Sequence, residues 1–494
     1  MAKNLKSMEI IKIISLLMIT MGIILIVPLV ASFAYGERGS EVAFVLPSVI
    51  SFAAGGAGYM MTRRYHVKLD MAWSMLLCFA AWLVASLVGA VPFMIALDKS
   101  FIDALFESAS GFTTTGATVL TGIEHLPRTI QIWRCLTQWV GGIGILTFFL
   151  LITYKSESDL WYLFDAETHK TRFKRPVPNV YSTVRILWAI YIGLTVVLAL
   201  VLPFFGVSMY DSILHSLSTI ATGGFSPYDQ SVLQFSTAEG VNYKAVEYTL
   251  IFFMFISGIN FLLHYQLFTS GPGEYGKNHE FNLYAGIIAL FTLIVFAECA
   301  FLIRPEGAGI EDMFRASLFQ VVSLITSTGF TTEYIGSDYF GHAAKQLFLV
   351  LMLVGGCVGS TSGGLKVVRL AILGKLFLRE IKKLSAPKSA VLPVTIDKLP
   401  VGSEEIFRIS AILFGWIGII FAGSLITSFF SDLDMAESIS GMLSMVSNMG
   451  PTFFDVETMA SLSPVIKLTY IVGMISGRLE ILPIFILVSM RYRL

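Results

Sequence analysis

Apolar runs separated by short polar segments make up almost the whole chain. Ten of these runs reach the length of about 17–25 residues that a helix needs to cross a bilayer. They span residues 10–34, 41–62, 69–97, 130–154, 181–206, 246–268, 281–303, 346–374, 405–430 and 466–490. Because only helices and closed barrels cross a membrane, this pattern predicts an all-α polytopic membrane protein.

Four short stretches rich in Ser, Thr and Gly interrupt this pattern, each between two apolar runs. They are Glu107–Thr118, Ser218–Phe225, Ser323–Phe330 and Ser444–Pro451. In each stretch a Ser precedes a Gly by six residues, and the pattern returns about every 110 residues, which indicates tandem repetition. Polar, Gly-containing backbone is tolerable at membrane depth only where it lines a cavity. We therefore predict four re-entrant half-helices, each followed by a loop.

The order of runs and stretches predicts two leading helices followed by four units of helix, pore loop and helix. The predicted boundaries are 1–66 for the leading pair and 67–178, 179–278, 279–400 and 401–494 for the four units. Each unit crosses the membrane twice, so all four share one orientation and can surround a single pore in a pseudo-four-fold arrangement. The predicted N-caps of the half-helices are Asp103, Asp211, Asp312 and Asp434.

The composition and the distribution of charge agree with a membrane protein. Hydrophobic residues make up 55% of the 494 residues and charged residues 14%, whereas a soluble domain carries about 25% charged residues. The formal net charge is zero, which gives no electrostatic case for a nucleic-acid partner. If the N-terminus is placed in the cytoplasm, most of the Lys and Arg residues outside the spans fall in segments on the cytoplasmic side. Both termini are therefore predicted to be cytoplasmic. The first run exceeds the apolar core of a signal peptide and is interpreted as a retained helix.

The four loops have the composition of a cation filter built from backbone. Carbonyl oxygens from four loops can replace the hydration shell of a cation, and the negative end of each half-helix dipole would face the same point. The candidate filter residues are Thr114, Thr115, Gly116, Ala221, Thr222, Gly223, Gly224, Ser327, Thr328, Gly329, Asn448, Met449 and Gly450. None of them is acidic, which argues against a site for divalent cations. The alternative interpretation is that these stretches are small-residue contacts between packed helices.

Two features of the third and fourth units are unusual for transmembrane helices. Val354–Val368 contains five Gly within ten residues, which would interrupt a helix and leave unwound backbone that must face protein or water. Arg478 lies in the middle of the last run, where a charge is costly and is expected to face a pore or a partner. A packing kink for the first feature and an ion pair with Glu480 for the second are the simpler alternatives.

Together these motifs resemble the membrane subunit of the Trk/Ktr/HKT superfamily of potassium transporters. The resemblance covers the whole chain, including the two leading helices that distinguish TrkH-type subunits from shorter ones. It is carried by the Gly-rich run, by Arg478 and by the loop motifs Gly111–Thr118, Thr222–Ser226, Thr328–Thr331 and Asn448–Pro451. In that family four such loops form the selectivity filter, so the resemblance implies K⁺, and usually Rb⁺, as the transported ion.

The resemblance also implies roles for the two features that follow the predicted filter. The Gly-rich run would be an intramembrane loop that closes the pore on its cytoplasmic side, and Arg478 would be an electrostatic barrier to free cation flow. The candidate gate residues are Gly355, Gly356, Gly359, Ser360, Thr361, Ser362, Gly363, Gly364 and Arg478. Lys366 and Arg369 follow the run and are expected near the inner surface, where snorkelling of their side chains explains them equally well.

The resemblance implies partners that the residues alone do not. These are a second copy of the membrane subunit, which would form a homodimer, and a cytosolic ring of nucleotide-binding regulatory subunits of the TrkA type. The chain has no phosphate-binding Gly-rich motif after a predicted strand, so nucleotide control would come from such a subunit. No cofactor is expected in this chain. Its expected surroundings are the lipids of the inner (cytoplasmic) membrane, and the inner loop 155–180 is either solvated or a docking site for the regulator.

The sequence therefore predicts potassium uptake through a carbonyl-lined pore, driven by the inward membrane potential. A symporter that couples K⁺ to H⁺ or Na⁺ is the alternative, and Glu107 or His215 would then carry a coupling proton. An enzyme would need paired acid/base groups or metal ligands such as HExxH within the spans. The predicted spans contain no such motif, so an enzyme is not indicated. Either a contact that braces the first pore loop or interfacial anchoring is expected for Arg134, Gln138 and Trp139.

Overall fold

The computed structural model describes residues 2–37, 39–65, 67, 69–144, 147, 180–387, 392–396 and 399–481. Within these residues the chain is helical apart from loops and one short antiparallel strand pair, Thr395–Ile396 with Leu399–Pro400. The predicted all-α fold is thereby confirmed. Nearly all of the predicted inner loop 155–180 lies outside the described residues, as do the last parts of the fourth and tenth predicted spans.

Two helices, α1 (Ala2–Tyr35) and α2 (Glu41–Thr62), precede the four units and pack against each other as an antiparallel pair. The two backbones approach closely at a small residue of α2, because a Cβ on Gly55 would lie 2.6 Å from the backbone oxygen of Ser15. Without a hydrophobic driving force in lipid, helices associate through such small-residue contacts. The leading pair is therefore a packed element of the fold.

Four units follow, each with a half-helix between two further helical segments. The first unit comprises α3 (Met71–Leu97), the half-helix α4 (Phe101–Phe112) and α5 (Arg128–Gly142). The second comprises α6 (Val180–Val201), the half-helix α7 (Met209–Ala221), α8 (Tyr243–Ser257), α9 (Phe261–Ser270) and the short α10 (Gly273–Lys277). The third comprises α11 (His279–Glu298), the half-helix α12 (Ile310–Ile325), α13 (His342–Leu353) and α14 (Val367–Ser385). The fourth comprises α15 (Ser403–Phe430), the half-helix α16 (Met435–Ser447), the short α17 (Val456–Ser461) and α18 (Pro464–Arg478).

The predicted spans correspond to helices of unequal regularity. Within the described residues, six helices are long and apolar enough to cross a membrane, and they lie in 5–35, 41–62, 72–97, 182–205, 279–303 and 403–430. The predicted span 246–268 is wrong as a continuous helix, since α8 and α9 meet at an angle of 91°. The side chain of Asn260 accepts the Leu262 N–H at 2.9 Å and so caps a new helix at this break. The predicted interruption of the span 346–374 by the Gly-rich run is confirmed.

The half-helices begin on small polar or Gly caps, although mostly not on the predicted residue. Asp434 is the N-cap of α16, as predicted, and accepts a backbone N–H at 2.7 Å. The other three predictions are wrong, because the N-caps of α4, α7 and α12 are Ser100, Ser208 and Gly309. The predicted carboxylates of Asp103, Asp211 and Asp312 stand three residues later, in the first turn, where the positive end of the helix dipole favours them.

The buried apolar side chains form two large clusters that divide the units into pairs. One cluster draws mainly on the second and third units, and the other on the leading helices together with the first and fourth units. Helix α18 of the fourth unit packs against the half-helix α4 of the first. The last unit thus contacts the first, and the four half-helices are brought together by the way the chain closes on itself.

Candidate functional site

The four half-helices end in the same hydrogen-bonding pattern. The N–H of the turn residue donates to the carbonyl three residues earlier, at 2.9–3.2 Å, and the next N–H donates to the carbonyl five residues earlier, at 2.8–3.0 Å. The turn residues are Thr114, Thr222, Ser327 and Asn448. This is the Schellman motif, which satisfies carbonyls that a helix end leaves without a partner. The repetition predicted from the sequence therefore extends to the individual hydrogen bonds.

The turn residues adopt left-handed backbone conformations, which Asn448 tolerates but which Thr and Ser side chains disfavour. Their φ angles lie between 53° and 54°, and helices usually place Gly at this position. For a β-branched residue such as Thr114 or Thr222 a positive φ is a steric outlier, at a cost of about 1–3 kcal/mol each. Such strain persists only where the surrounding structure holds it, and here the contacts between loops provide that restraint.

The Gly residues of the four loops bring neighbouring loops into backbone contact. Each has a positive φ, of 80° at Gly116, 82° at Gly224, 80° at Gly329 and 98° at Gly450. A Cβ on any of these Gly residues would collide with a carbonyl oxygen of the next loop. The contacts run from Gly116 to Gly223, from Gly224 to Thr328, from Gly329 to Met449 and from Gly450 to Thr115. The four loops thus form a closed ring in chain order, which we call the loop ring.

The structure brings all of the predicted filter residues to this loop ring. The polar side chains among them, on Thr114, Thr115, Thr222, Ser327, Thr328 and Asn448, are fully buried. On one side the ring opens into a cavity of about 540 Å³, whose lining includes Gly116, Gly224, Gly329 and Gly450. The same lining carries the carboxylates of Asp229, Glu333, Asp455 and Glu457. Arg134 also belongs to the lining, so acidic residues outnumber basic ones around this cavity.

A buried ion pair braces the first and second loops from behind. The Arg134 Nε lies 2.7 Å from the Glu107 Oε1, and both side chains are almost completely buried. The Glu107 carboxylate also accepts the hydroxyl of Thr118 and the N–H of Val119 in the first loop. Arg134 reaches the second loop, where its Nη1 donates to the carbonyl of Ser226 at 2.9 Å. The predicted bracing of the first loop is thereby confirmed for Arg134.

Gln138 contacts a different loop from the one predicted. Its amide bonds to the backbone of Gly223 and Phe225, which belong to the second loop. The prediction of a contact with the first loop is wrong for Gln138 because α5 packs against the half-helices of both units and Gln138 faces the second loop. It is wrong for Trp139 as well, since the indole N–H donates to the Thr195 hydroxyl of α6 at 3.1 Å. The sequence carries one signal of the Gln138 contact, namely the additional Gly at position 223 in Thr222-Gly223-Gly224, where the other loops have Thr115, Thr328 or Met449.

The Gly-rich run forms a compact loop between α13 and α14, which we call the gate loop (residues 354–366). Its neck is closed by two backbone bonds, from the Gly355 N–H to the Leu365 carbonyl at 2.9 Å and from the Leu365 N–H to the Leu353 carbonyl at 3.0 Å. Further along, the N–H of Val358 donates to the Glu280 carboxylate at 2.8 Å. Unwound backbone inside a membrane protein needs such partners, and the gate loop finds them within the protein.

The gate loop lies against the ends of three half-helices. The Gly363 N–H donates to the Ser327 hydroxyl at 2.6 Å, in the third unit. The Thr361 hydroxyl donates to the Ile220 carbonyl at 3.1 Å, in the second unit. A Cβ on Gly363 would collide with the Ser447 carbonyl, in the fourth unit. The gate loop therefore packs directly beneath the loop ring, on the side away from the cavity.

Arg478 connects the remaining half-helix to the gate loop. Its Nη1 donates to the Thr114 hydroxyl of the first unit and to the Thr361 carbonyl of the gate loop, both at 3.0 Å. Its Nη2 donates to the carbonyls of Gly141 and Gly142 at 2.6 Å. The side chain is only partly buried, and it holds its charge among oxygen atoms at the level where the loop ring meets the gate loop.

The basic residues after the gate loop lie inside the protein. Lys366 and Arg369 are 8% and 5% exposed, so the interpretation as snorkelling side chains is wrong. Lys366 donates to the Ser362 carbonyl, and Arg369 forms an ion pair with Glu480. Sequence reasoning missed this pair because the two residues are 111 positions apart. It ties α14 to the end of α18, two residues beyond Arg478.

The chain is similar to known transport proteins over almost its whole length. The family model of TrkH, described as a cation transport protein, matches residues 40–304 and 308–492. The Trk system potassium uptake protein TrkH of Vibrio parahaemolyticus is 32% identical over 496 residues, which cover 97% of this chain and 98% of the relative. The protein of the same name from Escherichia coli (strain K12) is 32% identical over 486 residues, which cover 96% of this chain and 97% of the relative.

The fold agrees with a solved structure of that family. The crystal structure of the potassium transporter TrkH from Vibrio parahaemolyticus matches with a TM-score of 0.86 at 30% sequence identity, and the match covers 97% of this chain and 98% of the other. These matches span both the loop ring and the gate loop. The chain belongs to the TrkH family of cation transport proteins, which are membrane transporters and not enzymes.

Proposed function

We propose that this protein takes up K⁺, or Rb⁺ in its place, across the cytoplasmic membrane through the loop ring. The observation that carries the proposal is the closed ring of backbone contacts at the ends of four half-helices. The relatives described above are potassium uptake proteins by name, and the likeness over nearly the whole chain supports the same ion here. K⁺ is then the transported ion, and no cofactor is assigned to the chain.

The chemistry of the loop ring suits a monovalent alkali cation. Each half-helix directs its negative end toward the ring, with the equivalent of about half an elementary charge, and backbone carbonyls can replace the ion's hydration shell. None of the candidate filter residues is acidic, so the ring offers dipoles where a divalent cation would favour full charges. Each loop has one Gly at the position that all four loops share. We therefore expect weaker discrimination among monovalent cations than in filters whose loops carry two Gly residues.

The gate loop and Arg478 limit flow beneath the ring in this proposal. The gate loop contacts three half-helix ends, and Arg478 links the fourth to the Thr361 carbonyl. An ion that leaves the ring has to pass these groups, and the guanidinium charge repels it. Opening then requires that the gate loop move away from the half-helix ends and that Arg478 exchange its carbonyl partners.

The assembly proposed for the cell has three further parts. Both termini face the cytosol, as the distribution of Lys and Arg favours, and the 540 Å³ cavity then opens to the outside. A second copy of the chain forms a homodimer. A nucleotide-binding subunit of the TrkA type regulates the gate from the cytosol, in keeping with relatives whose names describe a Trk system.

The test of this function is cation competition with the purified protein in liposomes. Uptake of labelled Rb⁺ is measured while unlabelled K⁺, Rb⁺, Na⁺ or Li⁺ is added outside. We expect K⁺ and Rb⁺ to compete at much lower concentrations than Na⁺ and Li⁺, because their hydration shells are replaced more completely by the carbonyl ring. Equal competition by all four cations would contradict a selective filter.

Coupled symport is separated from a channel-like pore by the same preparation. Without coupling, net flux reverses at the K⁺ equilibrium potential and does not respond to a gradient of H⁺ or Na⁺. The Glu107 carboxylate is held by Arg134, Thr118 and Val119, which favours a bracing role over the transfer of a coupling proton. A reversal potential that follows the pH gradient would overturn this assignment.

The ion pair between Arg369 and Glu480 is expected to keep the gate closed. Replacing Glu480 by Gln leaves Arg369, which is 5% exposed, without its charged partner, and breaking a buried pair costs about 3–5 kcal/mol. We expect Glu480→Gln to raise basal Rb⁺ uptake and to lower the melting temperature. The control is Glu274→Gln, which breaks an exposed pair with Lys277 and is expected to change neither. Basal uptake equal to that of the unmodified protein would contradict the role of the pair.

A further inference from the structure

Gln138 reaches the loop ring from behind with a fully buried side chain. Its Nε2 donates to the Gly223 carbonyl at 2.6 Å, and its Oε1 accepts the Phe225 N–H at 3.0 Å. These two bonds fix the orientation of the amide, because the reverse orientation would set donor against donor and acceptor against acceptor. A residue of the first unit thereby holds the backbone of the second loop on both sides of Gly224.

The amide of Gln138 occupies the space in which a side chain at position 223 would lie. A Cβ on Gly223 would lie 2.5 Å from the Gln138 Oε1 and 2.9 Å from its Nε2. The backbone itself does not call for Gly here, since Gly223 is absent from the residues with positive φ. The corresponding residues of the other loops, Thr115, Thr328 and Met449, all carry side chains. Gly223 and Gln138 therefore form a matched pair.

The loop ring is asymmetric as a result. The Gly223 carbonyl faces the neighbouring Gly116, as the carbonyls of Thr115, Thr328 and Met449 face the Gly residues beside them. In the part of the chain that the structure describes, no side-chain donor is bonded to those three carbonyls, whereas Gly223 has the Gln138 amide. A carbonyl oxygen has two lone pairs, and the bond commits one of them and fixes the direction of the oxygen.

We propose that Gln138 is a specificity-determining residue of this transporter, acting on ion selectivity through the Gly223 carbonyl. The inference rests on the proposed function, namely that the ring carbonyls are ligands of the passing cation. A carbonyl oxygen that is restrained by a hydrogen bond moves less far toward a small ion. Na⁺, which is smaller than K⁺, therefore loses more of its coordination than K⁺ does. Gln138 acts by positioning this oxygen and need not touch the ion itself.

The first test is Gln138→Leu, which keeps the approximate size of the side chain and removes both hydrogen bonds. We expect the preference for K⁺ over Na⁺ as competitors of Rb⁺ uptake to fall by roughly fivefold to tenfold, the effect of about one hydrogen bond. Gln138→Met is the second variant, with an unbranched side chain that fits irregular space. An unchanged ratio in either variant, in protein that still transports Rb⁺, overturns the inference.

The matched control is Gln131→Leu on the same helix. Gln131 is also buried, and its amide donates to the Ile123 carbonyl at 2.7 Å and accepts the Tyr210 hydroxyl at 2.8 Å. Gln131→Leu therefore removes a comparable pair of hydrogen bonds, at a place away from the loop ring. We expect a loss of thermal stability similar to that of Gln138→Leu but the unmodified K⁺/Na⁺ ratio. A ratio that falls equally in both variants would assign Gln138 a merely structural role.

The reciprocal test uses the matched pair and does not depend on how well one variant folds. Gly223→Ala introduces a Cβ into the space of the Gln138 amide, and we expect it to reduce Rb⁺ uptake strongly. In the background of Gln138→Ala that space is empty, so the same substitution is expected to have a much smaller effect. Contacting residues give such non-additive effects and independent ones do not. Additive effects would overturn the pairing.

The outcomes also separate this inference from the function on which it rests. If the unmodified protein shows no preference for K⁺ over Na⁺, the proposed function fails. If it shows the preference and Gln138→Leu retains it in full, the function stands and the role of Gln138 fails.

Discussion

Replacing Arg478 by Ala is expected to raise the basal rate of Rb⁺ uptake by at least about tenfold. Arg478 donates four hydrogen bonds that link the first half-helix, the gate loop and the end of α5. Hydrogen bonds from a charged group contribute about 1.5–3 kcal/mol each, and a change of about 1.4 kcal/mol corresponds to a factor of ten. The substitution also removes the positive charge that, in the proposed function, repels a cation below the loop ring.

Two further variants separate the charge of Arg478 from its shape. Arg478→Lys keeps the charge but loses the planar fork that serves several carbonyls at once, and its uptake is expected between that of the unmodified protein and that of Arg478→Ala. Arg408→Ala removes an exposed Arg on α15 that pairs with Glu405 and is expected to leave uptake unchanged. If Arg478→Ala transported Rb⁺ at the unmodified rate, the barrier would have to lie elsewhere.

Replacing Gly224 by Ser is expected to reduce Rb⁺ uptake by more than about tenfold and to weaken the preference for K⁺ over Na⁺. The backbone at Gly224 has a φ of 82°, and a Cβ there would collide with the Thr328 carbonyl. A non-Gly residue at such a φ costs about 1–3 kcal/mol, and overpacking costs about as much again. Because the collision is with a ring carbonyl, the strain is relieved by moving a proposed ion ligand.

The control for this substitution separates backbone strain from the contact between loops. Gly240 has a φ of 77°, and a Cβ there would meet no atom within 4 Å. Gly240→Ser therefore carries similar backbone strain without a contact in the loop ring. We expect it to transport Rb⁺ with the unmodified K⁺/Na⁺ ratio, and Gly116→Ser to behave as Gly224→Ser does. If Gly224→Ser kept the full ratio, the filter would not lie at this ring.

Local patterns in the sequence predict the half-helices, the break at the Gly-rich run and most of the long helices, but not the break between α8 and α9. Gly116 and its counterparts stand where a loop must turn sharply, and Arg478 is conspicuous because it lies in the middle of the last apolar run. Both signals depend on short windows of the chain. Local competition explains the wrong caps, since Ser100 and Ser208 precede the predicted Asp by three residues and are equally suited to cap a helix.

The remaining features depend on contacts between distant parts of the chain. Thr114 and Thr222 hold positive φ angles that their own preferences oppose, because the neighbouring loops in the ring restrain them. The Gln138–Gly223 pair joins two units, and the Arg369–Glu480 pair joins the third unit to the fourth. A single sequence shows the members of such pairs without showing that they meet. For this reason the sequence predicts neither the contact of Gln138 with the second loop nor the ion pair of Arg369 with Glu480.

A single polypeptide supplies all four quadrants of the loop ring, so the four quadrants can differ from one another in sequence. In a pore assembled from four identical chains, every mutation appears four times, and its steric cost is multiplied accordingly. Here Gly223 faces Gln138 in one quadrant only, while Thr115, Thr328 and Met449 keep their side chains in the other three. Each quadrant can therefore be changed alone, and in the proposed function a single substitution then alters one quarter of the ring and leaves the other three as they are.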